Sequence, residues 1–298
     1  MAAIAIGVFF IFKGEMTVPL LFAGIQIIGN IMNPIASLFQ RYAWIVSTKP
    51  IMDKHSKLVS STSKEYKIGE NIDGIKDINI QNLNFSFGER KIINDLSFCF
   101  EKGKKYVILG ESGSGKSTFL KLLMGYFEDY SGKILYSNKD LKNINYSSLY
   151  NQISVLHQNL FLFEDTLENN IKLYKPVDNF LYDKAIDMAN LRQVKERLKK
   201  NDSLIRDNGT NLSGGEKQRI AIARCLVNQT ELLFIDEATA NLDPENSRIF
   251  YNIITKLPNT TCIAITHERD RDILNCFDEI LLLENGKLNR AELEKMAF

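Results

Sequence analysis

The sequence has almost no net charge, with 37 lysines and arginines against 36 aspartates and glutamates in 298 residues. That balance excludes a nucleic-acid binder working through bulk positive potential. Cysteine is sparse and scattered. Cys99, Cys225, Cys262 and Cys276 form no C-x-x-C pair, which leaves neither a disulfide framework nor a thiolate zinc site. All four are expected to be reduced core residues. Internal repeats and low-complexity tracts are absent, and 45% apolar with 24% charged residues is the composition of a folded protein. Charge is nearly missing from the first 50 residues, where Lys13, Glu15, Arg41 and Lys49 are the only ionic side chains. The front of the chain is therefore a different material from the rest.

What fills that front end is apolar. Residues 1–12 carry no charge, Lys13-Gly14-Glu15 interrupts them, and a second apolar stretch runs from Met16 to Phe39. The second stretch can cross a bilayer, since about 20 helical residues span about 30 Å. The first is too short by itself and reads as the end of a helix. No basic segment precedes it and no small-residue cleavage site follows, which argues against a secretory signal. Arg41, Lys49, Lys54 and Lys57 come after the second stretch, so the positive-inside bias puts its C-terminal end in the cytoplasm. A buried helical hairpin of a soluble protein is the alternative. Gln26, Asn30 and Asn33 lie at helical spacings, suited to packing against other helices. Residues 1–60 are thus expected to be a partial transmembrane domain, 61–76 a polar linker, and 77–298 a separate globular domain.

In the globular part, Ile78, Ile80, Leu83, Phe85 and Phe87 alternate with polar residues and predict edge-type strands of a half-buried sheet. Short, fully apolar runs follow at Tyr106–Leu109, Leu232–Ile235, Cys262–Ile265 and Ile280–Leu283, with helical patterns between them. That order predicts a parallel sheet with crossover helices.

The first of those runs leads into Gly110-Glu111-Ser112-Gly113-Ser114-Gly115-Lys116-Ser117 and then a helical pattern beginning with Thr118. This is a complete phosphate-binding loop in its strand–loop–helix setting. Glycines let successive N–H groups curl toward phosphate oxygens, and the helix N-terminus adds positive dipole. Lys116 is expected to reach the β- and γ-phosphates of a nucleoside triphosphate, and the Ser117 hydroxyl to sit on Mg²⁺. Downstream, Leu232-Leu-Phe-Ile-Asp236-Glu237 is an apolar strand ending in two acids, which lie where parallel sheets bind ligands. Two acids there can also simply cap the next helix. Behind a phosphate loop, Asp236 suits a contact to Mg²⁺ and Glu237 a polarising contact to an attacking water.

Between these motifs stands Leu212-Ser213-Gly214-Gly215-Glu216-Lys-Gln-Arg219. Ser213 and Glu216 form a capping box whatever the function. The same helix end is also an anion site, and one triphosphate needs only one phosphate loop, so the second end suits another copy's nucleotide. Here the sequence resembles the ATP-binding cassette (ABC) family over about residues 70–290, whose signature reads LSGGQ. The resemblance implies an α/β P-loop ATPase with a parallel core sheet, an antiparallel β subdomain and a helical subdomain, preceded by an α-helical transmembrane segment. It implies that two cassettes pair head to tail, with ATP between one phosphate loop and the other's Ser213, Gly214, Gly215 and Glu216. Phe87 resembles the aromatic that stacks on adenine. Gln158 resembles the loop glutamine that senses Mg²⁺ and contacts the membrane part. Asp243 resembles the aspartate at the dimer seam, and His267 the switch histidine on the γ-phosphate. Two departures stand out: Glu216 replaces the usual glutamine and Asn241 the usual alanine. The first brings negative charge toward a phosphate site.

Membrane segment first and cassette second is the layout of fused exporters, and Asp207 matches their acidic loop before the signature. Residues 14–39, with Pro34 in mid-helix, resemble their last transmembrane helix. Such exporters carry about six helices per half, so the resemblance implies an N-terminally shortened half-transporter in a bacterial plasma membrane, its other helices missing or encoded separately. The expected partners are a second cassette, the membrane and those helices, with no nucleic acid. A non-transport ATPase docked on a membrane partner is the alternative. DNA-repair cassettes are set aside because Lys116 and Ser213 are only 97 residues apart with no heptads between.

Overall fold

The computed structural model describes residues 2–62, 69–157, 160–200, 204–240 and 242–293. The chain divides into two compact units, residues 1–65 and 66–298.

The first unit is two helices, α1 (Ala2–Phe12) and α2 (Val18–Thr62). The uncharged run of α1 stops where Gly14 takes a left-handed conformation (φ 72°). At 1.5 Å per residue, α2 is about 68 Å long, because no glycine-led stop follows Phe39 and helix formers continue. Pro34 and Pro50 lie inside it, each removing one backbone donor. Among the described residues, one helix is long and apolar enough to cross a membrane, Val18–Lys54; none of its apolar window is buried and most of its large apolar side chains are exposed. Gln26, Asn30 and Asn33 are exposed too.

The second unit begins with β1 (Asp77–Phe87) and β2 (Arg90–Glu101), joined by a tight turn at Gly88-Glu89. After β3 (Lys105–Leu109) and α3 (Lys116–Leu123), β4 (Ser131–Tyr136) and β5 (Lys139–Asp140) return to the first hairpin. The result is an antiparallel sheet ordered β2-β1-β4-β5. β1 is therefore an interior strand, not the edge strand that its alternating pattern predicts.

Next come α4 (Tyr146–Tyr150), β6 (Ile153–His157) and three helices, α5 (Leu167–Lys172), α6 (Asn179–Met188) and α7 (Arg192–Lys200). The signature opens α8 (Gly214–Val227), followed by β7 (Leu232–Asp236), α9 (Pro244–Thr255), β8 (Thr261–Ile265), α10 (Arg271–Leu274), β9 (Glu279–Glu284) and β10 (Lys287–Ala291). A six-stranded sheet runs β10-β9-β3-β8-β7-β6, parallel except for the β9–β10 hairpin. Both of its faces are covered, so the apolar runs are continuous. Val107, Leu233, Ile235 and Ala264 face a core shared with α5, α6 and α8. Their neighbours Tyr106, Ile108, Phe234 and Ile263 face a second core with α3 and the antiparallel sheet.

Two expectations are corrected here. Cys225 and Cys262 are buried, but Cys99 and Cys276 are exposed, and all four are free. On β2 the reason is the period of two: Phe100 is fully buried, so Cys99 beside it faces outward. Residues 69–76, read as linker, also carry Ile72 and Ile75 into the second core. Glu231 fastens this segment, its Oε2 accepting from the Ile75 N–H at 2.9 Å.

Candidate nucleotide site

Strand β3 delivers the chain to Gly110, and the 110–117 loop turns back over the C-terminal edge of the parallel sheet. The fit is tight enough to specify glycine. A Cβ on Gly110 would lie 2.6 Å from the Leu283 carbonyl oxygen, and one on Gly115 would lie 2.7 Å from Ile92 Cγ2. Gly115 is also left-handed (φ 100°) at the position that caps α3.

Lys116 is nearly buried, and its Nζ donates to the carbonyls of Gly110 and Glu111, each at 2.9 Å. Burial pushes its pKa down, while Glu237 and Asp236 push it back up. The ammonium thus spans the loop from inside, with a third donor to give. Ser114 Oγ is buried without a hydrogen-bond partner. Ser117 Oγ donates to Asp236 Oδ1 at 3.1 Å, joining the first turn of α3 to the end of β7. One hydroxyl and one carboxylate are hard oxygen donors that suit Mg²⁺, which keeps waters and substrate oxygens for the rest of its shell.

Glu237 follows Asp236 in a left-handed conformation (φ 52°), an uncommon state for a non-glycine residue. Its N–H donates to the Ile265 carbonyl at 3.0 Å. Its Oε1 lies 2.9 Å from His267 Nε2, two residues beyond β8. Phe87 ends β1 half-exposed, held edge-on by Phe85 at 4.9 Å and Phe127 at 5.4 Å. One cavity of about 360 Å³ collects Phe87, Arg90, Ile92, Ser112, Gly113, Gly115, Lys116, Ser117, Thr118, Glu237 and His267.

A second cluster does not line that cavity. Ser213 Oγ accepts from the Glu216 N–H at 3.2 Å, and Glu216 Oε2 accepts from the Ser213 N–H at 2.8 Å, completing the capping box of α8. Arg197 on α7 reaches both carboxylate oxygens of Glu216 at 3.0 Å. Burial alone would raise the Glu216 pKa, but the guanidinium and the Ser213 N–H outweigh it and hold it low. A Cβ on Gly215 would lie 2.6 Å from Asn246 Oδ1. Asp243 caps α9, accepting from the Asn246 N–H at 2.9 Å and from its side-chain amide at 2.6 Å. Those two bonds depress the Asp243 pKa. Gln158 and Asn241 lie outside the described residues.

Comparisons with known proteins show the family. Residues 93–240 match the family described as ABC transporter. This chain carries an ABC transporter cassette. A relative from Escherichia coli, "Microcin-J25 export ATP-binding/permease protein McjD", is 33% identical over 86% of this chain and 42% of its own length. The "ATP-dependent lipid A-core flippase" of Pasteurella multocida is 35% identical over 74% of this chain and 38% of its own. A solved structure, "Structure of a bacterial Atm1-family ABC exporter with ATP bound", aligns with 97% of this chain and 52% of that one, at 27% identity and a TM-score of 0.69. The chain spans about half or less of the length of these relatives. As an ABC ATPase domain, the cassette is a nucleotide-binding unit.

Several residues of the two clusters escaped sequence reading, among them Arg90, Ile92, Arg197 and Asn246. Arg90 faces Phe87 directly across the hairpin, a placement readable in principle from the two-residue turn. Ile92 needs the tertiary fold to reach Gly115. Arg197 pairs with a residue 19 positions on, across two helices, and no local pattern announces it.

Proposed function

We propose that this chain is the ATP-binding and ATP-hydrolysing part of an exporter-type ABC transporter, driven by head-to-tail pairing of two cassettes. The observation that carries the reading is the split site. Lys116, Ser117, Asp236, Glu237 and His267 meet at one edge of the sheet, while the capped signature lies outside that cavity and needs another cassette to meet a nucleotide.

In this reading, Phe87 takes the adenine ring, and the N–H groups of Gly110–Thr118, with Ser112 and Ser114, wrap the phosphates. Lys116 turns its remaining donor to the β- and γ-oxygens. Mg²⁺, held by Ser117 and Asp236 with Gln158, supplies neutralising charge across the phosphates when bound. Glu237 orients the attacking water and accepts its hydrogen bond. His267, already 2.9 Å from Glu237, keeps that carboxylate aimed and donates to the γ-phosphate. Ser213, Gly214, Gly215 and Glu216 close on the other cassette's phosphate, with Asp243 at the seam. Helix α2 would anchor the cassette in a bacterial plasma membrane, and the positive-inside bias of Arg41, Lys49, Lys54 and Lys57 supports a cytoplasmic cassette.

Two substitutions in the full chain test the assignments. Lys116→Ala is expected to abolish ATP binding, and tight binding retained would remove the loop from its role. Glu237→Gln is expected to bind ATP while hydrolysis falls by about 10²–10⁴-fold; undiminished turnover would take Glu237 out of the mechanism.

A further inference from the structure

Glu216 is a carboxylate in the first turn of the helix that, on the pairing proposed above, receives the phosphate of another cassette. Left alone, it would oppose the approaching anion. Both of its oxygens are committed elsewhere. Arg197 meets Oε1 and Oε2 with one nitrogen each at 3.0 Å, a two-pronged geometry that fixes orientation as well as charge. Oε2 also accepts from the Ser213 N–H at 2.8 Å. The carboxylate is 12% exposed, whereas the arginine remains 48% exposed. Arg197 pairs with no other carboxylate among the described residues. Its position on α7 brings the countercharge from a different helix, so it serves the signature only as long as α7 holds Arg197 beside the start of α8.

We propose that Arg197 is a positioning residue of the signature: it neutralises Glu216 and locks it into the capping box, so that the Ser213–Gly215 end of α8 meets the other cassette's phosphate without net negative charge. This rests on the pairing reading and adds a group that the signature itself does not contain. It also gives the glutamate a condition, since a chain with Glu216 needs Arg197 and a chain with glutamine there does not.

The test measures particle mass in detergent against ATP concentration, with Mg²⁺, in the full chain carrying Glu237→Gln. Arg197→Ala is expected to raise the ATP needed for half-maximal pairing by about tenfold, while a fluorescent ATP analogue binds the unpaired chain unchanged. Arg197→Lys keeps the charge without the two-pronged geometry and is expected to fall between. Glu216→Gln alone should pair at least as well as the starting chain, and Arg197→Ala combined with Glu216→Gln should pair as Glu216→Gln does. If Glu216→Gln weakens pairing as much as Arg197→Ala, the arginine is only a tether between helices and the proposal is overturned. Pairing unaffected by Arg197→Ala overturns it equally. Failure of the starting chain to pair removes the pairing reading and this role with it, and that result appears before any change at position 197.

Discussion

Asp243 shows how a carboxylate proposed for the dimer seam also caps a helix. Two hydrogen bonds from Asn246 hold its pKa below the usual carboxylate range. A group depressed on folding adds stability above its unfolded pKa, and that stability is lost as pH falls through the folded value. Asparagine caps helices about as well as aspartate. Asp243→Asn is therefore expected to leave the thermal midpoint near neutral pH almost unchanged and to flatten its decline below about pH 4. A decline as steep as in the unaltered chain would show that the cap does not depend on charge. Nearby, the Glu237–His267 contact joins residues 30 positions apart. Each was readable as a candidate from its place after an apolar strand, but their mutual distance depends on β7 and β8 being neighbours.

At the scale of elements, the most legible parts are those whose local chemistry leaves no choice. The four apolar runs became β3, β7, β8 and β9 within one residue at each end, because strands covered on both faces admit no polar interruption. The capping box of Ser213 and Glu216 formed as spaced. Less legible were features set by partners distant in sequence. β1 reads as an edge strand because nothing in its own eleven residues reveals that β4 will pair with its other side. Arg197 was invisible for the same reason. The loop between β3 and α3 joins both kinds, since the glycines are motif residues but Ile92 supplies the wall. Gly115→Ala should cost about 1–3 kcal/mol through its left-handed backbone alone, with the Ile92 contact added, and should weaken nucleotide binding. A denaturation midpoint equal to that of the unaltered chain would show that the loop relaxes freely.

For the whole molecule, composition already separates two materials. A front stretch of 50 residues with four ionic side chains precedes an evenly charged cassette, and each follows its own solvent. α2 exposes apolar side chains along most of its length, which water does not tolerate at this extent. In membranes containing the full chain, alkaline carbonate is expected to leave it in the pellet, and only detergent to release it. Release by carbonate would favour an ATPase docked on a membrane partner. On the proposed pairing, the cassette's phosphate loop and its signature would meet different nucleotides, so its activity is expected to depend on a second copy or a second chain.

The most direct measurement is the mass of the 298-residue Glu237→Gln chain in detergent, with and without ATP and Mg²⁺. A shift from one copy to two on adding nucleotide is the expected result, because hydrolysis can no longer reopen a closed pair. A chain that binds ATP and stays single at every concentration would contradict pairing between copies of this cassette.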